Sequence, residues 1–463
     1  MNIKYHKTIF LLFTIVLCFL TATSTGCKKN KLPTPIIIDT TKDSDFIKQN
    51  ILILLADDMG YEIPTCNGGN SYSTPNINNL AKTGRRFTHC YSAPICSPSR
   101  FMLFTGKYNF RNYFLWGKMD RSNKTFANML HDAGYITGYA GKWQLDGGDT
   151  SIHNFGWDTY SVWLPYYVDR EDEYGIRYKG AQIYQSGAYL PTSQTANNFS
   201  EDEFTNFILS FIDSASATSK PFLAFYSMML PHTPFGPTPD DAEYANWDFA
   251  NGKSNTKYFA NMVKYEDKKI GEIIDHLKQK NLLKNTIIIF SGDNGTSSNI
   301  TSSFNDFNVT GGKSYTTEPG TNVPLIVSWQ GKILANTTSN AIIDFTDFLP
   351  TLADVAQVAK PANYGILDGQ SFYRALLNNG DTSIRNSLFD SYALNRYETE
   401  PYYTKWVQNA SYKLYDSGTF IQSKQFIKLE QCKPDSTPLI DSELTPDEQI
   451  LKANFQQTLK QYK

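Results

Sequence analysis

Short apolar runs punctuate the chain, and several end in residues that bind charge. Residues 50–56 read Asn-Ile-Leu-Ile-Leu-Leu-Ala and stop at Asp57-Asp58. Similar runs span 136–140, 222–228, 286–290 and 324–329. Such runs, bounded by polar residues, predict strands buried on both faces. Between them, apolar positions recur at helical spacing over 77–87, 125–133, 202–214, 258–280 and 342–356. Strands alternating with helices predict an α/β fold with a mostly parallel sheet between helical layers. Ligands bind such sheets beyond the carboxyl ends of the strands, and the polar residues of interest fall there. Further on, 411–415 and 424–429 predict short strands, and Thr445-Pro446 predicts the N-cap and first turn of a final helix.

The start of the chain has a different pattern. Lys4 and Lys7 precede an apolar run over 9–20, and small residues lead to Thr25-Gly26-Cys27. About a dozen apolar residues cannot span roughly 30 Å of hydrocarbon as a helix, so the segment predicts an export signal. The Gly26-Cys27 junction resembles a bacterial lipoprotein cleavage site, with Ser24 where Leu is usual; ordinary cleavage and secretion is the alternative. Several acyl chains on Cys27 would suffice for stable membrane anchoring. The expected organisation is a lipoprotein signal over 1–27, a polar tether over 28–46, a catalytic domain over 47–372 and a C-terminal subdomain over 373–463. The expected location is the bacterial periplasm, outer membrane or cell surface. About 435 residues beyond the signal exceed what one core usually uses, in keeping with a large domain and a smaller one. Net charge is -2 and no basic stripe occurs, so nucleic acid is not an expected partner. Cys66, Cys90, Cys96 and Cys432 lack metal-type pair spacing. A Cys66–Cys90 disulfide stays open.

Adjacent carboxylates after a buried strand repel each other unless a cation or donors neutralise them. Asp57-Asp58 therefore reads either as a divalent metal site or as an Asp pair capping a turn. The 286–290 run continues into Ser291-Gly292-Asp293-Asn294-Gly295, whose Asp-Asn-Gly is also a common turn. Two strand ends at one edge of a parallel sheet can converge on one ion. Hard oxygen donors favour calcium, with magnesium as the alternative, over zinc.

Together with Cys96-Ser97-Pro98-Ser99-Arg100, Gly141-Lys142-Trp143-Gln144-Leu145, Pro231-His232-Thr233-Pro234 and Gly311-Gly312-Lys313, these segments resemble the formylglycine-dependent sulfatases of the alkaline-phosphatase-like superfamily. The resemblance implies that sandwich fold, with a small C-terminal antiparallel sheet and a terminal helix. It implies a maturation enzyme that oxidises Cys96 to formylglycine, whose hydrate attacks sulfur and leaves a sulfate ester on residue 96. Asp57, Asp58, Asp293, Asn294 and residue 96 would hold the metal. Lys142 would hold the nucleophile and the sulfate charge, Lys313 would bind sulfate, His232 would contact sulfate and the leaving oxygen, and Arg100 would brace residue 96 from one helical turn away. Gln144 departs from the family, which has His there. Glutamine donates and accepts hydrogen bonds but takes up no proton near neutrality, so it can only orient the hydroxyl that the family's His is associated with deprotonating. Pro319 and Asn322 stand where Gly and Arg are usual, and His153 reads as part of a structural turn.

Residues 155–189 hold Trp157, Tyr160, Trp163, Tyr166, Tyr167, Tyr174, Tyr178 and Tyr184, with Arg170, Arg177 and Lys179 among them. They read either as a packed insertion or as a surface for sugar rings and extra anionic groups. The expected protein is a sulfuric ester hydrolase acting on a sulfated carbohydrate. A phosphoester or phosphonate hydrolase on the same scaffold is one alternative; a catalytically weak glycan-binding protein, suggested by Gln144, is the other.

Overall fold

A computed structural model describes residues 48–167, 176–251, 253–377, 384–393, 404–417, 425–435 and 437–462. The signal and tether with Cys27, and also Arg170 and Tyr174, lie outside these residues. The Asn50–Ala56 strand lies inside a ten-stranded sheet. It pairs in parallel with Thr286–Gly292 on one side and Phe222–Ser227 on the other. Ile136–Lys142 and then Thr159–Trp163 continue the parallel run. Alternation along the central strand sends Ile51, Ile53 and Leu55 into one core and Leu52, Leu54 and Ala56 into the other. At roughly 1.5–3 kcal/mol for each fully buried aliphatic side chain, this strand is anchored from both faces. Helices Cys96–Thr105, Phe126–Asp132 and Phe348–Ala356 cover the first core. Pro75–Thr83, Ser200–Ser216 and Phe259–Gln279 cover the second. Register sets Ala56 opposite Gly292 and Leu55 opposite Ser227, so the chain leaves all three strands at one edge.

Two helices are shorter than the periodicity predicts. Over 77–87 the helix is Pro75–Thr83, and Arg85–Tyr91 is a strand. Gly84 separates them: a Cβ there would lie 2.2 Å from the Val327 carbonyl oxygen. Over 342–356 the chain first completes the strand Thr337–Asp344, and the helix Phe348–Ala356 begins only after a 3-10 turn. Asp344 caps that turn by accepting from the Thr346 N–H at 2.9 Å. Over a few residues, strand alternation and helical spacing coincide, and Gly84 and Asp344 decide between them. The 324–329 run forms Leu325–Ser328, antiparallel to both of its neighbours.

Leu388–Tyr392, Thr404–Gln408, Tyr412–Ser417 and Phe426–Lys428 form a four-stranded antiparallel sheet. The closing helix, Pro446–Gln461, starts with a capping box: the Glu448 N–H donates to Thr445 Oγ1 at 3.3 Å, and the Thr445 N–H donates to Glu448 Oε2 at 2.9 Å. Phe455 and Leu459 from this helix join the first core. Among the described residues, no helix is long and apolar enough to cross a membrane.

Candidate active site

Asp57 and Asp58 follow the central strand directly, as Asp293 and Asn294 follow Thr286–Gly292, and all four are buried. Asp58 adopts φ 65, a sparsely populated conformation for a non-glycine residue. That turn lets its N–H donate to Asp293 Oδ1 at 3.0 Å, while Asn294 Nδ2 donates to Asp58 Oδ1 at 2.9 Å. Lys142 Nζ donates to Asp57 Oδ1 at 2.9 Å, and Lys313 Nζ donates to Asp58 Oδ2 at 2.7 Å. Arg100 grips Asp293 Oδ2 through Nε at 2.9 Å and a terminal nitrogen at 2.8 Å, and it also donates to Ser227 Oγ. Burial opposes ionisation of Asp57, yet Lys142, Arg177 and Arg100 around it hold its carboxyl well below the usual range. Asp293 goes the other way, pushed up to about 6 by burial in spite of Arg100.

His232 follows the Phe222–Ser227 strand and closes the cluster. Its Nδ1 faces the Thr233 carbonyl, which places the ring hydrogen there and leaves Nε2 to accept from Lys313 Nζ at 2.9 Å. Burial, followed by the Arg177 charge, pushes the imidazolium down to about 3, so the ring is neutral. Asp58 holds the Lys313 ammonium well above the usual lysine range despite its burial. Ligand atoms of Asp57, Asp58 and His232 lie within 4.8 Å of one another. Asn294 Oδ1 is buried without a hydrogen-bond partner. An orphaned amide oxygen beside carboxylates fits a hard divalent cation.

Cys96 opens the wholly buried helix Cys96–Thr105 and is itself 2% exposed. Pro98 falls in the first turn, where its missing N–H costs nothing. Cys96 packs with Ile95, Tyr392, Trp406, Tyr415 and Ile427. Its thiol lies within electrostatic reach of Arg100, Arg177 and Lys313. Gln144 sits just past Lys142 at φ 51, with Oε1 buried and unpartnered. Asp57, Asp58, Arg100, Lys142, His232, Asp293, Asn294 and Lys313 thus form one connected network, with Cys96 beside it.

Two residues that hold the site together were not singled out from the sequence as site residues. Arg177 bonds Asp57 Oδ2, stacks over Trp163 at 4.8 Å and donates to the Met229 carbonyl at 3.3 Å. Only its place as a base among aromatics marked it. Glu201 accepts from the Met229 and Leu230 N–H groups at 2.6 and 2.9 Å, bracing the segment that carries His232, and burial pushes it up to about 7. Elsewhere in the insertion, Trp157, Tyr160, Trp163, Tyr178 and Tyr184 are buried packing residues, whereas Tyr166 and Tyr167 are half-buried. His153 pairs with the Trp157 carbonyl at 2.8 Å, as a structural turn requires. Cys66 and Cys90 are free thiols, so no disulfide joins them.

The family model described as sulfatase matches residues 49–358, and that of the N-sulphoglucosamine sulphohydrolase C-terminal region matches 312–463. Arylsulfatase G of Rattus norvegicus is 28% identical, over 73% of this chain and 70% of its own length. N-acetylgalactosamine-6-sulfatase of Canis lupus familiaris is 27% identical, over 71% of this chain and 66% of its own. Ps i-CgsB, solved in complex with k-i-k-neocarrahexaose, shares the fold with a TM-score of 0.73 at 23% identity, covering 90% of this chain and 92% of that one. A second structure, solved with its substrate D-glucosamine-2-N,6-O-disulfate, matches with a TM-score of 0.68 at 20% identity, covering 90% of this chain and 98% of that one. The chain belongs to the sulfatase family of sulfuric ester hydrolases.

Proposed function

We propose that this protein hydrolyses sulfate monoesters of carbohydrates at the cluster around residue 96, with formylglycine made from Cys96 as the nucleophile. Calcium, with magnesium as the alternative, would be held by Asp57, Asp58, Asp293, Asn294 and residue 96. One observation carries the reading: three buried carboxylates face Arg100, Lys142, Arg177 and Lys313 around a neutral His232. Side chains alone leave positive charge in excess, which suits an anionic ester whose charge shifts in the transition state. The ion, when bound, would add to that charge and polarise a hydroxyl on residue 96.

The chain's own residues account for the rest. Lys142 keeps Asp57 ionised, and Arg100 holds the Asp293 carboxylate in place. Lys313 spends one hydrogen on Asp58 and one on His232, so its third is available for the leaving oxygen. Neutral His232 fixes the ammonium in register rather than supplying the proton itself. Gln144 offers hydrogen bonds to the hydroxyl on residue 96 and leaves removal of its proton to water or another group. Support for a sugar substrate comes from the two similar structures solved with a carrahexaose and with a glucosamine disulfate. The apolar run over 9–20 and the Gly26-Cys27 junction support export, a lipid anchor on Cys27 and a place in the periplasm or at the cell surface, reached after a maturation enzyme has acted. The domain boundary at 372/373 belongs to the same reading.

Peptide mass spectrometry across residue 96, on protein from a maturation-competent host, tests the nucleophile. Conversion to formylglycine is expected. A cysteine left intact while a control sulfatase is converted would overturn it. Turnover of 4-nitrophenyl sulfate should exceed that of the phosphate ester by at least about tenfold, a preference of about 1.4 kcal/mol.

A further inference from the structure

Trp116 sits in the turn of a hairpin formed by Tyr113–Leu115 and Lys118–Met119. Gly117, at φ 70, makes the turn, and its carbonyl accepts from the Asp146 N–H at 3.0 Å. Lys118 Nζ lies 3.7 Å from Asp146 Oδ2. The hairpin is therefore docked on the segment that follows Gln144. Tyr167 approaches the same segment from the insertion, its N–H donating to the Leu145 carbonyl at 3.2 Å. The two aromatic residues meet where Trp116 Nε1 donates to the Tyr167 hydroxyl at 2.9 Å. Trp116 also packs against the cluster that contains Cys96. Both residues are half-buried, while Trp157, Tyr160, Tyr178 and Tyr184 nearby in sequence are core residues.

We infer that Trp116 and Tyr167 form an aromatic wall that seats the pyranose ring bearing the sulfate, and that they select sugar esters over other sulfate esters; this rests on the carbohydrate sulfatase reading above. The only polar atom of the indole is satisfied by Tyr167, and the part of the half-buried ring that stays exposed is apolar surface for the C–H face of a sugar. Four backbone and side-chain ties hold the rings in place before substrate arrives, which lowers the ordering cost of binding. Because Trp116 packs against the cluster that contains Cys96, a ring held on its exposed part is near residue 96, where its ester must be. The indole carries no charge, so its contact is with the sugar rather than with the sulfate.

Wild type, Trp116→Ala and Tyr167→Phe are compared on a panel of monosulfated pyranosides, and inorganic sulfate is measured as a competitive inhibitor. Trp116→Ala should raise KM for the best sugar by at least about tenfold with kcat within about threefold, as expected for loss of one stacking contact. Tyr167→Phe, which removes the acceptor for the indole N–H, should raise KM by about threefold. The inhibition constant of inorganic sulfate should stay within about twofold in both. An unchanged KM in both variants, or a sulfate inhibition constant that rises in step with KM, overturns the wall. Wild-type turnover of 4-nitrophenyl sulfate without release from any sugar also overturns it, while leaving sulfate chemistry intact. No release from either class instead sinks the underlying reading, and the wall with it.

Discussion

Arg100 and Arg177 bring two guanidinium groups to the same carboxylate from opposite kinds of structure. Arg100 comes from a helix buried in the core, four residues after Cys96, and reaches Asp57 at 3.9 Å while gripping Asp293. Arg177 comes from an aromatic insertion and bonds the other Asp57 oxygen. The first is fixed by secondary structure, whereas the second depends on how a long excursion packs. A buried ionic site can thus be assembled jointly by the frame of a fold and by its decoration.

That contrast is best broken by deleting each arginine in turn. Arg100→Ala strands the buried Asp293 carboxylate and should cost about 3–5 kcal/mol, read as a shift of the urea midpoint at constant slope. Activity towards 4-nitrophenyl sulfate should fall by about a thousandfold or more, a loss typical of removing a central electrostatic group. Arg177→Ala leaves Asp57 with Lys142 at 2.9 Å, so a smaller loss is expected, about 1–3 kcal/mol and ten- to a hundredfold in kcat/KM. Equal losses would make the insertion a full partner of the frame. Chelation sharpens the comparison next. Removal of divalent ions should lower Tm by a few degrees, and calcium should restore it, because an ion at a hundred times its Kd adds about 2.7 kcal/mol. Arg177→Lys should lose about three- to tenfold in kcat/KM, since one ammonium cannot serve both Asp57 and the Met229 carbonyl as a planar fork does.

A last effect concerns pH. Glu201 rises from the ordinary 4.5 to about 7 through burial, so between those values the folded chain holds a proton that the unfolded chain has lost. Its contribution is complete below the lower value and disappears as pH climbs through the upper one. Glu201→Gln keeps an acceptor for Met229 and Leu230 and should flatten that decline, gaining about 1–3 kcal/mol at pH 8. A decline in the variant as steep as the wild type's would rule out Glu201 as its source.

Residues near strand ends were legible because one local rule governs them. An apolar run stops where the sheet stops, so Asp57, Lys142, His232 and Asp293 could be assigned to one edge before any geometry was known. The core strand Asn50–Ala56 was legible to the residue, since its burial on both faces leaves no competing period. Strand Arg85–Tyr91 was not, because its polar Arg86, Thr88 and His89 alternate with buried residues over too short a span to exclude a helix. Arg177 was out of reach for another reason. Its partner lies 120 positions away, and no local periodicity encodes that separation.

The packing of Trp406 and Tyr415 in one cluster with residue 96 has a consequence in time rather than in space. Trp406 and Tyr415, which pack with Cys96, belong to the sheet near the end of the chain, so synthesis delivers the thiol long before it delivers its cover. Until then nothing in that sheet can shield residue 96. Once the sheet has formed, only 2% of the residue is left for another macromolecule to reach. Once those strands fold, a macromolecule that must modify the thiol meets only that exposed remnant, whereas the unfinished chain presents it without this sheet's cover.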